Sequence, residues 1–179
     1  GTILADIGIL EKLNYGTRKT ELYLTRNEYM LRRVERMLMR QGVPYKSLYS
    51  PYTSQRSFAG RAFFAICQLH LWREAPLSTK DWRKMKSALR PSFVEMIEDR
   101  HEAANEDRPE GIPSLREIFQ NVKEFQEGLW WEAFVPGLAP QTTSMFHNAL
   151  RVNTLEQCMH PTLELSTIHG AKGQEAERV

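Results

Sequence analysis

Two short segments alternate apolar and polar residues in the manner of half-buried strands, and nothing between them does. The first is ELYLT at residues 21–25 and the second is TLELSTI at residues 162–168. Successive side chains of a strand point to opposite faces, so a period of two in β-favouring residues marks a chain with one face covered. From residue 52 to residue 150 no such period stands out. A lone strand leaves its backbone donors and acceptors unpaired, so each segment needs a partner. One sheet interrupted by a helical block meets that need better than two successive domains. The expected class is therefore α/β and helix-rich. Residues 1–50 and 159–179 are expected to build the sheet domain, and residues 51–158 an all-helical insert.

The first strand leads into a helix. Asn27 suits an N-cap, and Met30, Leu31, Val34, Met37 and Leu38 follow at helical spacing. Gly42 stands where a left-handed cap ends a helix, and Pro44 bars continuation. In the middle of the chain, RAFFAICQLHLW (residues 61–72) is apolar almost all round, which predicts a buried helix. STKDWRKMKSALR (78–90) opens with a Ser78/Asp81 cap and is expected to run to Arg90, with Pro91 closing it. SLREIFQNVKEFQEG (114–128) opens with a capping box from Ser114 to Glu117 and is expected to reach Gly128. EDRHEAANEDRPEGIP (98–113) is acidic and rich in breakers, which predicts an exposed, mobile connection.

With 179 residues, 41% hydrophobic and 26% charged, the chain can bury a real core and fits a soluble globular class. It has no uncharged apolar run of bilayer length and no basic-then-apolar leader at its start, so a cytoplasmic setting and no membrane partner are expected. Gly1 in place of Met suggests an expression scar or an excised piece of a longer protein. Cys67 and Cys158 are far apart and outside any CxxC spacing, which predicts buried thiols in a reducing compartment. The net charge is only +2, but its distribution is uneven. Residues 17–46 hold eight basic and three acidic residues, a net of +5; residues 95–110 hold two basic and seven acidic, a net of −5. A polyanion-binding face and ordinary solvated helix surfaces both fit that asymmetry.

Most catalytic signatures are missing. His101–Glu102 would need a second histidine at position 105 to make a zinc-protease helix, and Asn105 stands there. His70, His147 and His160 have no companion at ligand spacing. No GxSxG occurs, and neither cysteine sits in a nucleophile setting. Neither GxxxxGK[ST] nor GxGxxG occurs, so these residues do not by themselves cradle a nucleoside triphosphate in the P-loop manner. Trp130 and Trp131 could stack on bases, or simply fill a helical core.

LELSTIHGAKGQEAERV, residues 163–179, is the richest segment. A strand ending at Thr167 is followed by His169, Gly170, Lys172, Gly173 and Glu175. Open α/β sheets hold their ligands at the carboxyl ends of strands. The glycines permit close backbone approach, Lys172 can meet a phosphate, and Glu175 can accept from a sugar hydroxyl. A nucleotide-side loop and a solvated strand-to-helix turn are the two readings that chemistry allows.

This segment also resembles motif V of the superfamily 1 helicases of the UvrD/Rep type, hydrophobic–x–T–hydrophobic–H–x–x–K–G–x–E. Thr167, His169, Lys172, Gly173 and Glu175 occupy its fixed positions. Gln174 and Ala176 replace the usual leucine and phenylalanine, as in compact, phage-type members. LYLTRNEYMLRRVERMLMRQGVPY (22–45) is similar to the strand and helix that open the second RecA-like domain of that family, with Asn27, Gly42, Pro44 and Tyr45 in agreement. The family's arginine is displaced by one, from Thr25 to Arg26. The resemblance implies an incomplete second RecA-like helicase domain, P-loop NTPase-like, interrupted by a helical subdomain. It implies a DNA translocase driven by ATP and Mg2+ that unwinds duplex. Arg26, Asn27, Thr167 and His169 would touch single-stranded DNA. Lys172 and Gly173 would couple the two sites, and Glu175 would lie near the nucleotide ribose. No catalytic residue and no metal ligand fall in this segment. The first RecA-like domain, with the Walker A loop, would belong to the same longer protein, and the segment alone is expected to be inactive. A non-catalytic nucleic-acid-binding or partner-docking module on the same scaffold is the alternative. A helicase–nuclease fusion is a third, and it needs a carboxylate-rich motif not visible here.

Overall fold

Alternation of β-favouring residues places the strands where the pattern does, as β1 (Glu21–Thr25) and β3 (Leu163–Thr167). The computed structural model describes residues 21–47, 57–104, 111–119 and 130–168. β3 lies between β1 and β2 (Lys46–Ser47) and runs parallel to both. Glu21 faces Leu163, and the register continues to Thr25 opposite Thr167. Two residues offer no period, which is why the sequence pattern does not mark β2. Leu163 and Leu165 are buried in the central strand, Leu165 completely.

Helix α1 (Glu28–Gln41) returns from β1 and packs on β1 and β3. The Asn27 side chain caps its start, and Gly42 ends it at φ 71°, the left-handed conformation that costs glycine nothing. A Cβ at Gly42 would come within 2.8 Å of Asn148 Nδ2, so close packing adds a second demand for glycine there. Asn153 Nδ2 donates to Gly42 O and Ala149 O, both at 2.8 Å, tying the end of α1 to the end of α6 (Pro140–Val152). The buried face is Leu31, Val34, Leu38 and Met39. Met30, expected on that face, is 42% exposed. Met39, near the other end of the helix, is buried instead.

The chain divides into two units, and the division falls inside α6 between His147 and Asn148. The sheet unit comprises, of the described residues, 21–47 and 148–168, and it includes the short helix α7 (Leu155–Met159) with a Thr154/Gln157 capping box. The second unit is helical. Its centre is α2 (Arg61–Trp72), where Phe63, Ala65, Ile66, Leu69 and Trp72 are almost wholly buried, as an all-round apolar helix requires. Phe58, Phe63 and Phe146 form an aromatic cluster with ring centroids 4.7–5.8 Å apart. Trp72 Nε1 donates to Pro113 O at 2.6 Å. Trp130 and Trp131 sit buried in a 3-10 turn, Trp130–Ala133.

Three helix boundaries depart from expectation. α3 (Thr79–Met85) stops short of Arg90 and passes into a 3-10 turn, Lys86–Ala88. Pro91 then opens α4 (Pro91–Ala104) instead of only closing what precedes it. Proline fits a first helical turn because the N–H it lacks would find no partner there. The acidic segment expected to be a mobile connection is helical as far as Ala104. Phe93 and Ile97, four residues apart and both buried, anchor the face that carries the helix into it. α5 (Leu115–Ile118) has the expected capping box but is a single turn. At its end Phe119 leaves helical geometry, Arg100 donates to Ile118 O at 2.8 Å, and its guanidinium stands over the Phe119 ring. The expected continuation, 120–128, lies outside the described residues. Among the described residues no helix is long and apolar enough to cross a membrane.

Leu165→Ala is expected to cost about 2–5 kcal/mol, because it opens a cavity in the central strand. Met30→Ala is expected to cost about 0.5 kcal/mol or less, as a surface change. Urea midpoints for the two variants check the pair.

Candidate functional site

Parallel pairing brings the carboxyl ends of β1 and β3 to one edge of the sheet. Thr25 and Thr167 face one another there, 5% and 6% exposed. Ile168 N donates to Thr25 O at 2.9 Å, so the ladder runs one residue past β3. The chain leaves β1 through a two-residue turn fixed by side chains. Thr25 Oγ1 donates to Asn27 O at 2.9 Å, and Asn27 Oδ1 accepts from Met30 N at 3.1 Å. A helix start leaves backbone N–H groups unpaired, and the Asn27 carboxamide satisfies one of them.

Three of the seven residues singled out in the sequence therefore share this edge. Arg26 is exposed and makes no ion pair with a described residue. Asn27 is exposed, with its acceptor committed to the cap and its amide donor left to solvent. Thr167 is buried and so is held by packing, while Ser166 Oγ donates to the Thr167 carbonyl at 3.1 Å. His169, Lys172, Gly173 and Glu175 lie outside the described residues. Thr25, which fixes the turn, is the residue that the strand pattern alone does not identify as important.

The edge favours anions. The start of α1 carries the positive end of a helix dipole, and Arg26 adds a full charge beside it. Glu28 in the first turn opposes this, but it is paired with Arg32 at 2.6 Å. Further along α1, burial raises the pKa of Glu35, with a smaller push from Glu28; Arg32 and the nearby Tyr45 hydroxyl pull the other way. Glu35 sits seven residues after Glu28 and belongs to the packing of Tyr45, not to the edge.

The helical unit offers one other polar centre. His70 stands edge-on to Trp130 with ring centroids 5.1 Å apart, and its Nε2 is buried with no hydrogen-bond partner. Burial, Arg73 and His147 together lower its pKa to about 4. That is the behaviour of a neutral core histidine. Among the described residues no group of three or more His, Cys, Asp and Glu side chains can hold a metal ion. Cys67 and Cys158 are both buried. Comparison of the chain with family models, curated proteins and solved structures finds no match.

Asn27→Ala is expected to lower stability by about 1 kcal/mol through loss of the cap. Asn27→Asp keeps the cap acceptor and is expected to keep the stability; urea midpoints for the two variants check the cap. A second expectation concerns pH. The folded pKa of His70, about 4, lies below its ordinary 6.5, so the unfolded chain binds the proton first. The His70 contribution is fully present above pH 6.5 and is lost as pH falls toward 4, by at most about 1.4 kcal/mol per pH unit and less for its partial exposure. Thermal melts across that range should show a flatter profile for His70→Gln.

Proposed function

We propose that this chain is part of an ATP-dependent DNA helicase of the UvrD/Rep type, contributing the second RecA-like domain and its helical insert. One observation carries the reading. The two segments that resemble the family are far apart in sequence, yet β1 and β3 pair in parallel with Thr25 opposite Thr167. Both exits from the sheet thus open on one edge, where strand-end ligand sites of α/β sheets lie.

In this reading Arg26 and Asn27 meet phosphates of a single strand through charge and an N–H donor. His169 comes two residues after Thr167 in the sequence and would add a further polar contact to the strand. Contacts of this kind ignore base identity, which suits a motor that tracks any sequence. Lys172 and Gly173 would transmit the state of the nucleotide, and Glu175 would accept from its ribose. The described residues fit an anion or a sugar edge, but the sequence has no triphosphate cradle. ATP with Mg2+, held mainly by a first RecA-like domain, would supply the free energy of each step. The residues of this chain bind, orient and couple.

In the intact protein carrying this chain, Glu175→Ala is expected to cut ATP-driven unwinding at least about tenfold, a loss of roughly 1.4 kcal/mol at the coupling site, while single-strand affinity stays near wild type. A strand-displacement assay beside a binding titration reads both. Wild-type unwinding in that variant overturns the assignment of the loop. DNA binding with no ATP dependence at all points to the non-catalytic module instead.

A further inference from the structure

The outward face of α1 carries a pattern that the sheet edge does not use. Tyr29, Arg33, Arg36 and Arg40 are spaced four, three and four residues apart, and all four are exposed, Tyr29 to 67%. At about 100° per residue they fall within a sector of roughly 60°, nearly opposite the buried Leu31, Val34 and Leu38. The stripe runs about 16 Å along the helix. None of the three arginines forms an ion pair with a described residue. Arg36 Nε donates to Arg32 O at 3.3 Å, which steadies that side chain against the helix and turns its remaining donors outward. The nearby acidic residues are accounted for: Glu28 is paired with Arg32, and Glu35 is half-buried beside Tyr45. Arg26 lies at the start of α1 and links the stripe to the sheet edge.

We propose that this face of α1 is a contact surface for single-stranded nucleic acid, with a base stacked on Tyr29 and the phosphates following Arg33, Arg36 and Arg40. An exposed ring beside a row of uncompensated cations is the combination that holds an unpaired strand without regard to sequence. A duplex presents phosphates but no open base face to Tyr29. A membrane surface is a poor match, because the apolar face of α1 is already spent on the sheet and cannot insert. The surface lengthens the strand path of the helicase reading, but its case rests on exposure, spacing and charge, without reference to ATP.

The test uses the 179-residue chain and a fluorescein-labelled oligothymidylate, with anisotropy followed across a salt series. Neutralising three phosphate contacts accounts for about two units of the slope of log affinity against log salt on a single strand. The triple variant Arg33→Gln, Arg36→Gln, Arg40→Gln should therefore lose about that much slope and bind more weakly at low salt. Tyr29→Ala should weaken binding at least about fivefold with the slope unchanged, and Tyr29→Phe should restore it. A duplex of matching length should show no dependence on Tyr29. An unchanged slope in the triple variant, or wild-type affinity in Tyr29→Ala, overturns the proposal. So does competition by polyglutamate as strong, charge for charge, as by the oligonucleotide, which would assign the face to an acidic protein. Strand binding through this stripe with no coupling to ATP in the intact protein leaves the surface standing and removes the helicase reading alone.

Discussion

The hydrogen bonds of β3 to its two neighbours hold the sheet unit together, because β1 and β2 do not pair with each other. Without residues 163–167 the described residues form no sheet. Both early strands would show open edges, and α1 would lose half the surface on which its apolar face rests. A minimal parallel crossover needs about a dozen residues, whereas here Thr25 and Leu163 are separated by the whole helical unit. That distance is three to four doublings of loop length, which costs only about 2 kcal/mol in closure entropy. The arrangement is tolerable because the intervening chain has its own core, built around α2, and orders itself through contacts that do not wait for the sheet.

Register is the second consequence of that pairing. A slip of one residue would turn Leu163 and Leu165 outward and bring Glu164 into the core, so burial fixes the alignment far more firmly than any ion pair does. Lys46 reaches Glu164 across β2 and β3 at 3.5 Å, but the pair is partly exposed and adds little. The same alignment sets Thr25 against Thr167 and opens both exits on one edge. The geometry of the candidate site is therefore inherited from hydrophobic packing two and four residues away.

What could be read in the sequence, and what could not, follows from how each feature is encoded. β1, α1, α2 and β3 were legible because a strand period, an all-round apolar run or a cap and glycine pair writes their type and ends locally. β2 is too short to have a period, and it exists only because β3 offers an edge. Pro91 was ambiguous because proline both stops one helix and starts another, and α4 then ran through residues whose acidity suggested a loop. Met30 and Met39 lie on opposite flanks of the apolar stripe, and helical spacing alone does not decide which of them is covered. At the site, the strand pattern put Thr167 at a strand end, whereas Arg26 and Asn27 came from the resemblance; the structure places all three at one edge of the sheet. The Asn27 cap was legible, but the bond from Thr25 to the Asn27 carbonyl was not, since it depends on side-chain geometry across two residues.

That turn also shows why asparagine suits position 27. The cap uses only half of the side chain, because a carboxamide has two ends with opposite roles. Its oxygen is the part that α1 requires, and its nitrogen remains a donor at the sheet edge. Fixing one end orients the other, so the cap also sets the direction of the donor. Aspartate would cap as well but would put a negative charge at the edge, whereas serine or threonine would cap and present no donor of similar reach. Asparagine combines the cap with a neutral outward donor. The outward face of α1 begins only two residues further on, at Tyr29, so the cap lies where the edge and that face meet.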